Sequence, residues 1–272
     1  MIVGMKYVSC YNFFVEKSKK IDLIFLLIYP IFGAIFSHLL LINVFSSVLV
    51  FFGLPSLYLT IRAIKYAKRS IIFSLIVSVP LVIVVDYIAH LTDQWVVPYS
   101  ILPRIFQYVS IEVIIWGIFN CYFVVMFYEY FIHHHFTKKL YCRQLRYLFI
   151  VGLLLFILFL FAYNFSPAYL HIPFFYLWVG LVIVLIPTIL QLFTHPKFIS
   201  KFFETAAYFF YLTLTYEITA LQLGWWDFPG EQFIGWVSIF NIRFPLEELI
   251  FWLLLFAMCI LTFYEYFDDK EK

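Results

Sequence analysis

Phe244-Pro245-Leu246-Glu247-Glu248-Leu249-Ile250-Phe251-Trp252 sets two adjacent carboxylates inside an apolar run. By insertion scales an acid at the centre of a membrane helix costs about 3 kcal/mol, so such residues face a cavity, a partner or a reaction. The proline suits the first turn of a helix, where its missing N–H is not needed. Much of this neighbourhood is written twice. Phe127-Tyr128-Glu129-Tyr130-Phe131 returns as Phe263-Tyr264-Glu265-Tyr266-Phe267, 136 residues later, and the same offset lays Glu112 on Glu248 and Trp116 on Trp252. The chain reads as a duplicated membrane protein that holds acids inside itself.

Composition agrees. Hydrophobic residues make up 65% of the 272 and charged residues 12%, against about 45–50% and about 25% in soluble domains. Mean hydropathy is +0.97, so long uncharged stretches are membrane spans and not soluble core helices. A net charge of +2 gives no electrostatic footprint for nucleic acid. Cys10, Cys121, Cys142 and Cys259 lack metal-site spacing and read as free thiols. Residues 1–20 show no cleavable leader pattern, so the first span is expected to stay in the protein.

The reading is an all-α integral membrane protein with about eight transmembrane helices in two parallel four-helix repeats. The expected helices cover residues 21–43, 46–64, 70–90, 105–131, 145–164, 173–194, 202–223 and 240–266. The domain plan is an N-terminal segment 1–20, a first repeat 21–131, a basic linker 132–144, a second repeat 145–267 and a tail 268–272. A break near Leu41-Ile42-Asn43 is required, because one helix from Ile21 to Ile61 would be about 60 Å long. Tyr29-Pro30, Gly53-Leu54-Pro55, Pro80 and Pro187 are expected kinks. With both termini cytoplasmic in the cell membrane, 16 of 18 basic residues fall inside, leaving only Arg104 and Arg243 outside.

A second anchor, Asp86-Tyr87-Ile88-Ala89 through Gln94-Trp95, aligns with Glu217-Ile218-Thr219-Ala220 through Trp225-Trp226 at an offset of 131. Asp86, Glu112, Glu217 and Glu248 are thus expected at one depth in the outer half, on four helices, with Glu247 as a fifth acid. Arg243 precedes Glu247 by four residues and would share its helical face. Arg104 and Arg243 are candidate partners for the acids. The stretch from Trp225 to Pro229 reads as an outer cap, with its tryptophans in the headgroup zone. Glu129 and Glu265 read as interfacial salt bridges to Lys138, Lys139, Lys270 and Lys272, and His133-His134-His135 as a membrane-surface patch. No zinc, phosphate-loop or dinucleotide signature is present, so neither a metal nor a cofactor is expected.

The Pro245-Leu246-Glu247-Glu248 helix start resembles that of the membrane lycopene cyclase domain family, found in archaea, fungi and bacteria. Gly224-Trp225-Trp226-Asp227-Phe228 and Tyr264-Glu265-Tyr266-Phe267-Asp268-Asp269 are similar to it as well. The likeness spans residues 21 to 269 and is strongest in the second half. In bacteria the domain occurs as two small subunits, elsewhere fused in tandem as here. The resemblance implies a cofactor-independent isomerase that closes the linear ends of lycopene, or a related polyprenoid, into β-ionone-type rings without redox change. It maps the motif acids onto Glu247 and Glu248 and, by repeat, Glu112. Asp86, Glu217, Arg243, Arg104, Trp116, Trp252 and Trp226 are supporting residues. The first half has Val109-Ser110-Ile111-Glu112 in place of the motif, which leaves one or two ring closures open.

The residues suit that chemistry. An alkene takes a proton only from an undissociated acid in a dry site, and aromatic faces stabilise the cation that follows. Partners would be a long apolar polyene entering from the bilayer, membrane lipids and other carotenoid-pathway enzymes. A non-catalytic carotenoid-binding or assembly subunit is the main alternative. A transporter is a further one, for which acids at the membrane midplane would be expected.

Overall fold

The computed structural model describes residues 2–132 and 145–270. It is 76% helical. Five helices are long and apolar enough to cross a membrane: Ser18–Leu40, Val44–Arg62, Ile64–Leu91, Ile111–Phe131 and Phe175–Thr194. A sixth is added if the pair Glu248–Leu254 and Phe256–Phe267, bent by 46°, counts as one span. In chain order the α-helices are α1 (Ile2–Leu40), α2 (Val44–Val48), α3 (Leu54–Arg62), α4 (Ile64–Leu91), α5 (Ile111–Phe131), α6 (Leu145–Phe165), α7 (Phe175–Val179), α8 (Ile186–Thr194), α9 (Phe198–Gln222) and α10 (Phe256–Lys270). Three π-helical segments join them: Leu49–Gly53, Gly180–Leu185 and Glu248–Leu254.

Two β-hairpins correct the all-helical expectation. β1 (Arg104–Ile105) pairs with β2 (Val109–Ser110), and β3 (Trp236–Ile239) with β4 (Ile242–Pro245). The expected helices 105–131 and 240–266 therefore start later, at Ile111 and Leu246. The second hairpin turns on Phe240 and Asn241, both at positive φ (48° and 64°), the mirror-image turn that matches strand twist. No glycine marks it, so the apolar sequence reads through as helix. α1 likewise begins at Ile2, within the segment expected to precede the first helix.

The expected break after the first span lies at Leu41 (φ 48°), where Asn43 caps the next helix by accepting from the Ser46 N–H at 2.9 Å. Of the expected proline kinks, Pro30 and Pro80 sit inside unbroken helices. Pro55 and Pro187 instead each follow a π segment, whose wider turn accommodates the missing proline N–H.

α5 is the axis of the bundle. Its span is 72% buried, against 22% for that of α1, whose apolar side chains face outward. Lipid is as apolar as leucine, so close packing and buried hydrogen bonds hold such helices together. Gly180 shows how close the packing is, since a Cβ there would overlap the Phe251 ring.

Two sets of contacts tie the halves together, at opposite ends of α5. At one end Val96 and Asp227 exchange both backbone hydrogen bonds, each 3.0 Å. The Trp95 and Trp226 rings meet beside them, 6.2 Å apart. Gly230 lies so close to Asp93 that its N–H donates to the Asp93 carbonyl at 2.7 Å, leaving no room for a side chain. At the other end Tyr128 donates to Glu265 and Tyr264 donates to Glu129.

The expected lysine partners Lys138, Lys139 and Lys272 lie outside the described residues, and both acids sit inside the protein. Glu129 is fully buried and pairs with Arg69 at 2.6 Å, and Glu265 is buried as well. Asp22 anchors a neighbouring cluster: Tyr58 and Tyr130 donate to it, and Arg62 pairs with it at 2.8 Å. His133, His134, His135, Lys138 and Lys139 lie outside the described residues.

Candidate active site

At the hairpin end of the bundle a cavity of about 850 Å³ collects acids from four helices. Asp86 comes from the last turns of α4, Glu112 from the first turn of α5 and Glu217 from the end of α9. Glu248 opens the third π segment. All four carboxyls line the cavity, together with Trp95, Trp116, Trp226, Trp252, Tyr176, Tyr216 and Phe256. Among the described residues no three His, Cys, Asp or Glu side chains form a set able to hold a metal ion.

Hydrogen bonding divides the acids into two kinds. Glu112 accepts four bonds: Oε1 from the N–H groups of Ile101 (2.7 Å) and Leu102 (2.8 Å), Oε2 from the hydroxyls of Ser100 (2.7 Å) and Ser110 (2.6 Å). Asp86 accepts from the Ser110 N–H at 3.0 Å. Both are tied to the first hairpin. Glu217 and Glu248 are held more sparingly. Glu217 Oε1 accepts from Trp226 Nε1 at 3.1 Å, and Glu248 Oε2 from the Tyr176 hydroxyl at 2.9 Å. Neither forms an ion pair among the described residues. The two carboxyls interact electrostatically across the cavity.

Glu247 stands apart. It is fully buried, does not line the cavity, and accepts from the Ile234 N–H at 2.7 Å. Glu112 bonds Leu102, two residues before Arg104, the partner of the last β2 residue Ser110. Glu247 bonds Ile234, two residues before Trp236, the partner of the last β4 residue Pro245. The counterpart of Glu112 is therefore Glu247, at an offset of 135, and not Glu248 as the 136-residue offset suggests. Trp116 and Trp252 keep the offset of 136 and both line the cavity. One extra residue thus lies between Glu247 and Trp252, and the π segment Glu248–Leu254 absorbs it. Wide turns of this kind recur at functional sites. Here the turn adds a carboxylate that the first half lacks.

The proline completes the difference. Pro245 occupies the place of Ser110, whose N–H holds Asp86. Proline has no N–H, so the hairpin offers Glu217 no such bond.

Neither arginine forms an ion pair among the described residues, although Arg104 acts electrostatically on Asp86. Arg243 lies on β4 and not on a helix with Glu247, and its guanidinium sits 4.2 Å from the centroid of the Trp236 ring. Arg104 donates to the carbonyls of Tyr108 (2.9 Å) and Val97, which closes its own hairpin. The cap is likewise internal. Trp225 and Trp226 are buried, and Trp225 Nε1 donates to the Ile42 carbonyl at 2.9 Å, so they do not anchor in headgroups.

Sequence reading missed Tyr176. It lies in the anonymous stretch Phe174-Phe175-Tyr176, yet its N–H is clamped by Gln94 Oε1 at 2.8 Å and its ring meets Trp252 at 5.7 Å. Gln232 supports the clamp, accepting from Gln94 Nε2 (3.4 Å) and from the Phe174 N–H (3.2 Å). No periodicity or motif could have linked these positions. No protein-family model, curated protein or solved structure matches this chain.

Proposed function

We propose that the chain is a membrane isomerase that closes the end of a long linear polyene, lycopene or a related polyprenoid, into a β-ionone-type ring. One observation carries the reading: Glu217 and Glu248 line one aromatic cavity and interact electrostatically, and each carboxyl has only a neutral hydrogen-bond donor. Two adjoining carboxyls without a cation favour sharing a proton over carrying two charges. That makes an undissociated acid available to an alkene. The indole and phenol faces then stabilise the cation, and the closed cap keeps out water that would quench it. The Pro-x-acid-acid resemblance to membrane lycopene cyclase domains points the same way. The assignment of the pair shifts, however. Glu248 with Glu217 forms the acid centre, whereas Glu247 secures the hairpin.

The bundle in this proposal has eight membrane-crossing helices in two parallel repeats. Its support is the self-matching of equivalent positions: Val96 with Asp227 and Trp95 with Trp226 at an offset of 131, and the Tyr128–Glu265 and Tyr264–Glu129 exchange at 136. Equivalent residues meet in this way around a twofold axis. The basic-residue asymmetry supports cytoplasmic termini in the cell membrane, with the cavity in the outer half. A cysteine at exposed Asp227 should then label with an impermeant reagent on intact cells, and one at exposed Lys197 should not. Reversed labelling overturns the orientation.

A second reading, a carotenoid-binding or assembly subunit, is favoured by the donor-saturated acids of the first half. Expression in lycopene-accumulating cells separates the two. Cyclisation gives ring-bearing pigment, and unchanged lycopene beside inserted, folded protein refutes it.

A further inference from the structure

We infer that Glu248 and Glu217 divide the proton chemistry, with Glu248 giving the first proton and Glu217 taking the last. The inference rests on the cyclisation reading and assigns the deprotonating residue within that site. Its basis is the kind of partner each carboxyl has. The indole N–H of Trp226 can only donate, so Glu217 Oε1 is always an acceptor. Such a bond is strongest to an ionised oxygen. The Tyr176 hydroxyl on Glu248 Oε2 can donate or accept, so it serves the acid before transfer and the carboxylate after it. Tyr176 is fixed for this by the Gln94 clamp on its backbone. Glu248 is thus free to change protonation state without losing its partner, while Glu217 is held ready as a base.

The first-half acids do not fit the donor's role. The two bonds to Glu112 Oε1 and the bond to Asp86 come from backbone N–H groups, fixed donors that cannot reverse, and of the fixed acceptors Glu217 is the one that acts electrostatically on Glu248.

The steps balance. The Glu248 carboxyl proton passes to the terminal alkene carbon, leaving a tertiary cation. The π electrons of a nearby double bond attack it, forming the ring C–C bond and moving the cation into the ring. The Glu217 carboxylate removes a proton from the adjoining carbon, and that C–H electron pair becomes the ring double bond. Glu217 now holds a proton and Glu248 a charge. Once the product leaves, exchange with water lets Glu217 lose its proton and Glu248 regain one, which restores the start. The net change is isomerisation, with nothing oxidised or reduced.

The test uses the full chain in lycopene-accumulating cells, with pigments identified and inserted protein quantified. Glu248→Gln should leave lycopene unconsumed, with product down about 100-fold or more. Glu217→Gln should still consume lycopene but fail to end the reaction properly. Its cation would be quenched by water or lose a different proton, so hydroxylated or misplaced-double-bond products should become the main pigment. Glu217→Asp should restore part of the normal ring product. If Glu217→Gln inserts normally and gives only unconsumed lycopene, or gives the normal product unchanged, the division of roles is overturned. Trp226→Phe keeps both acids and an aromatic ring while removing the N–H, so it decides the matter should Glu217→Gln fail to insert. It should shift products in the same direction, and an unchanged product ratio also overturns the inference. A native protein that leaves lycopene untouched refutes the cyclisation reading itself, a result distinct from any of these.

Discussion

Glu248→Gln is expected to cut ring product by about 100-fold or more, whereas Glu247→Gln should leave it within the native range. The two residues are neighbours in sequence and both are buried, so sequence alone treats them as a pair. Their surroundings do not. Glu248 lines the cavity and bonds a hydroxyl, and an amide in its place keeps the size and the Tyr176 bond while removing the transferable proton. Glu247 accepts one backbone N–H from Ile234 behind the second hairpin. A glutamine carbonyl can accept that bond equally, so the hairpin survives. Glu247→Ala, which removes the acceptor, should instead lower the yield of folded protein, at a cost of about 1–3 kcal/mol for leaving the Ile234 N–H without its partner. Pigment profiles normalised to inserted protein would check this. Loss of product in Glu247→Gln equal to that in Glu248→Gln would restore the two motif acids as one catalytic unit.

The membrane character and the neighbourhood of the site were legible in the sequence, because both rest on composition and on costly residues. Acids in apolar runs must meet something, and Asp86, Glu112, Glu217 and Glu248 do meet at one cavity. What stayed hidden is geometry that leaves little trace in residue type. A two-residue strand such as Val109–Ser110 looks like the start of the helix that follows it. A single-residue insertion inside a continuous helix changes an offset by one, from 135 at the hairpin to 136 beyond it. The 136-residue offset holds beyond the insertion, at Trp116 and Trp252, whereas Glu112 and Glu247 lie before it, at 135. Arg243 is hidden for a related reason, since helical spacing does not hold for a residue on a strand. Tyr176 could not be found at all. One tyrosine among 21 carries no signal until its hydroxyl is seen beside a carboxyl.

Arg69→Met should destabilise the folded protein by about 3–5 kcal/mol, the cost of stranding one partner of a buried ion pair. Glu129 has no exposed surface, and its Oε1 takes the Arg69 guanidinium at 2.6 Å together with the Tyr264 hydroxyl. Arg69 also donates to that hydroxyl at 3.0 Å, so the three groups bond one another. Removing the arginine leaves a carboxylate in an apolar interior with a single neutral donor. Removing both charges is different. Arg69→Met with Glu129→Gln keeps an acceptor for Tyr264 and leaves no uncompensated charge, so most of the lost stability should return. Thermal melting of the detergent-solubilised proteins measures this coupling, provided each variant is compared in the same detergent. A double variant no more stable than Arg69→Met alone would show that the ion pair is not what the arginine contributes. The result also bears on the duplication, because Glu129 lies on α5 and its tyrosine on α10. Tyr264→Phe should therefore weaken the closure of one half on the other, and Tyr128→Phe should do the same through Glu265. A larger loss in Tyr264→Phe than in Tyr128→Phe would place more of that closure on the Arg69–Glu129 set.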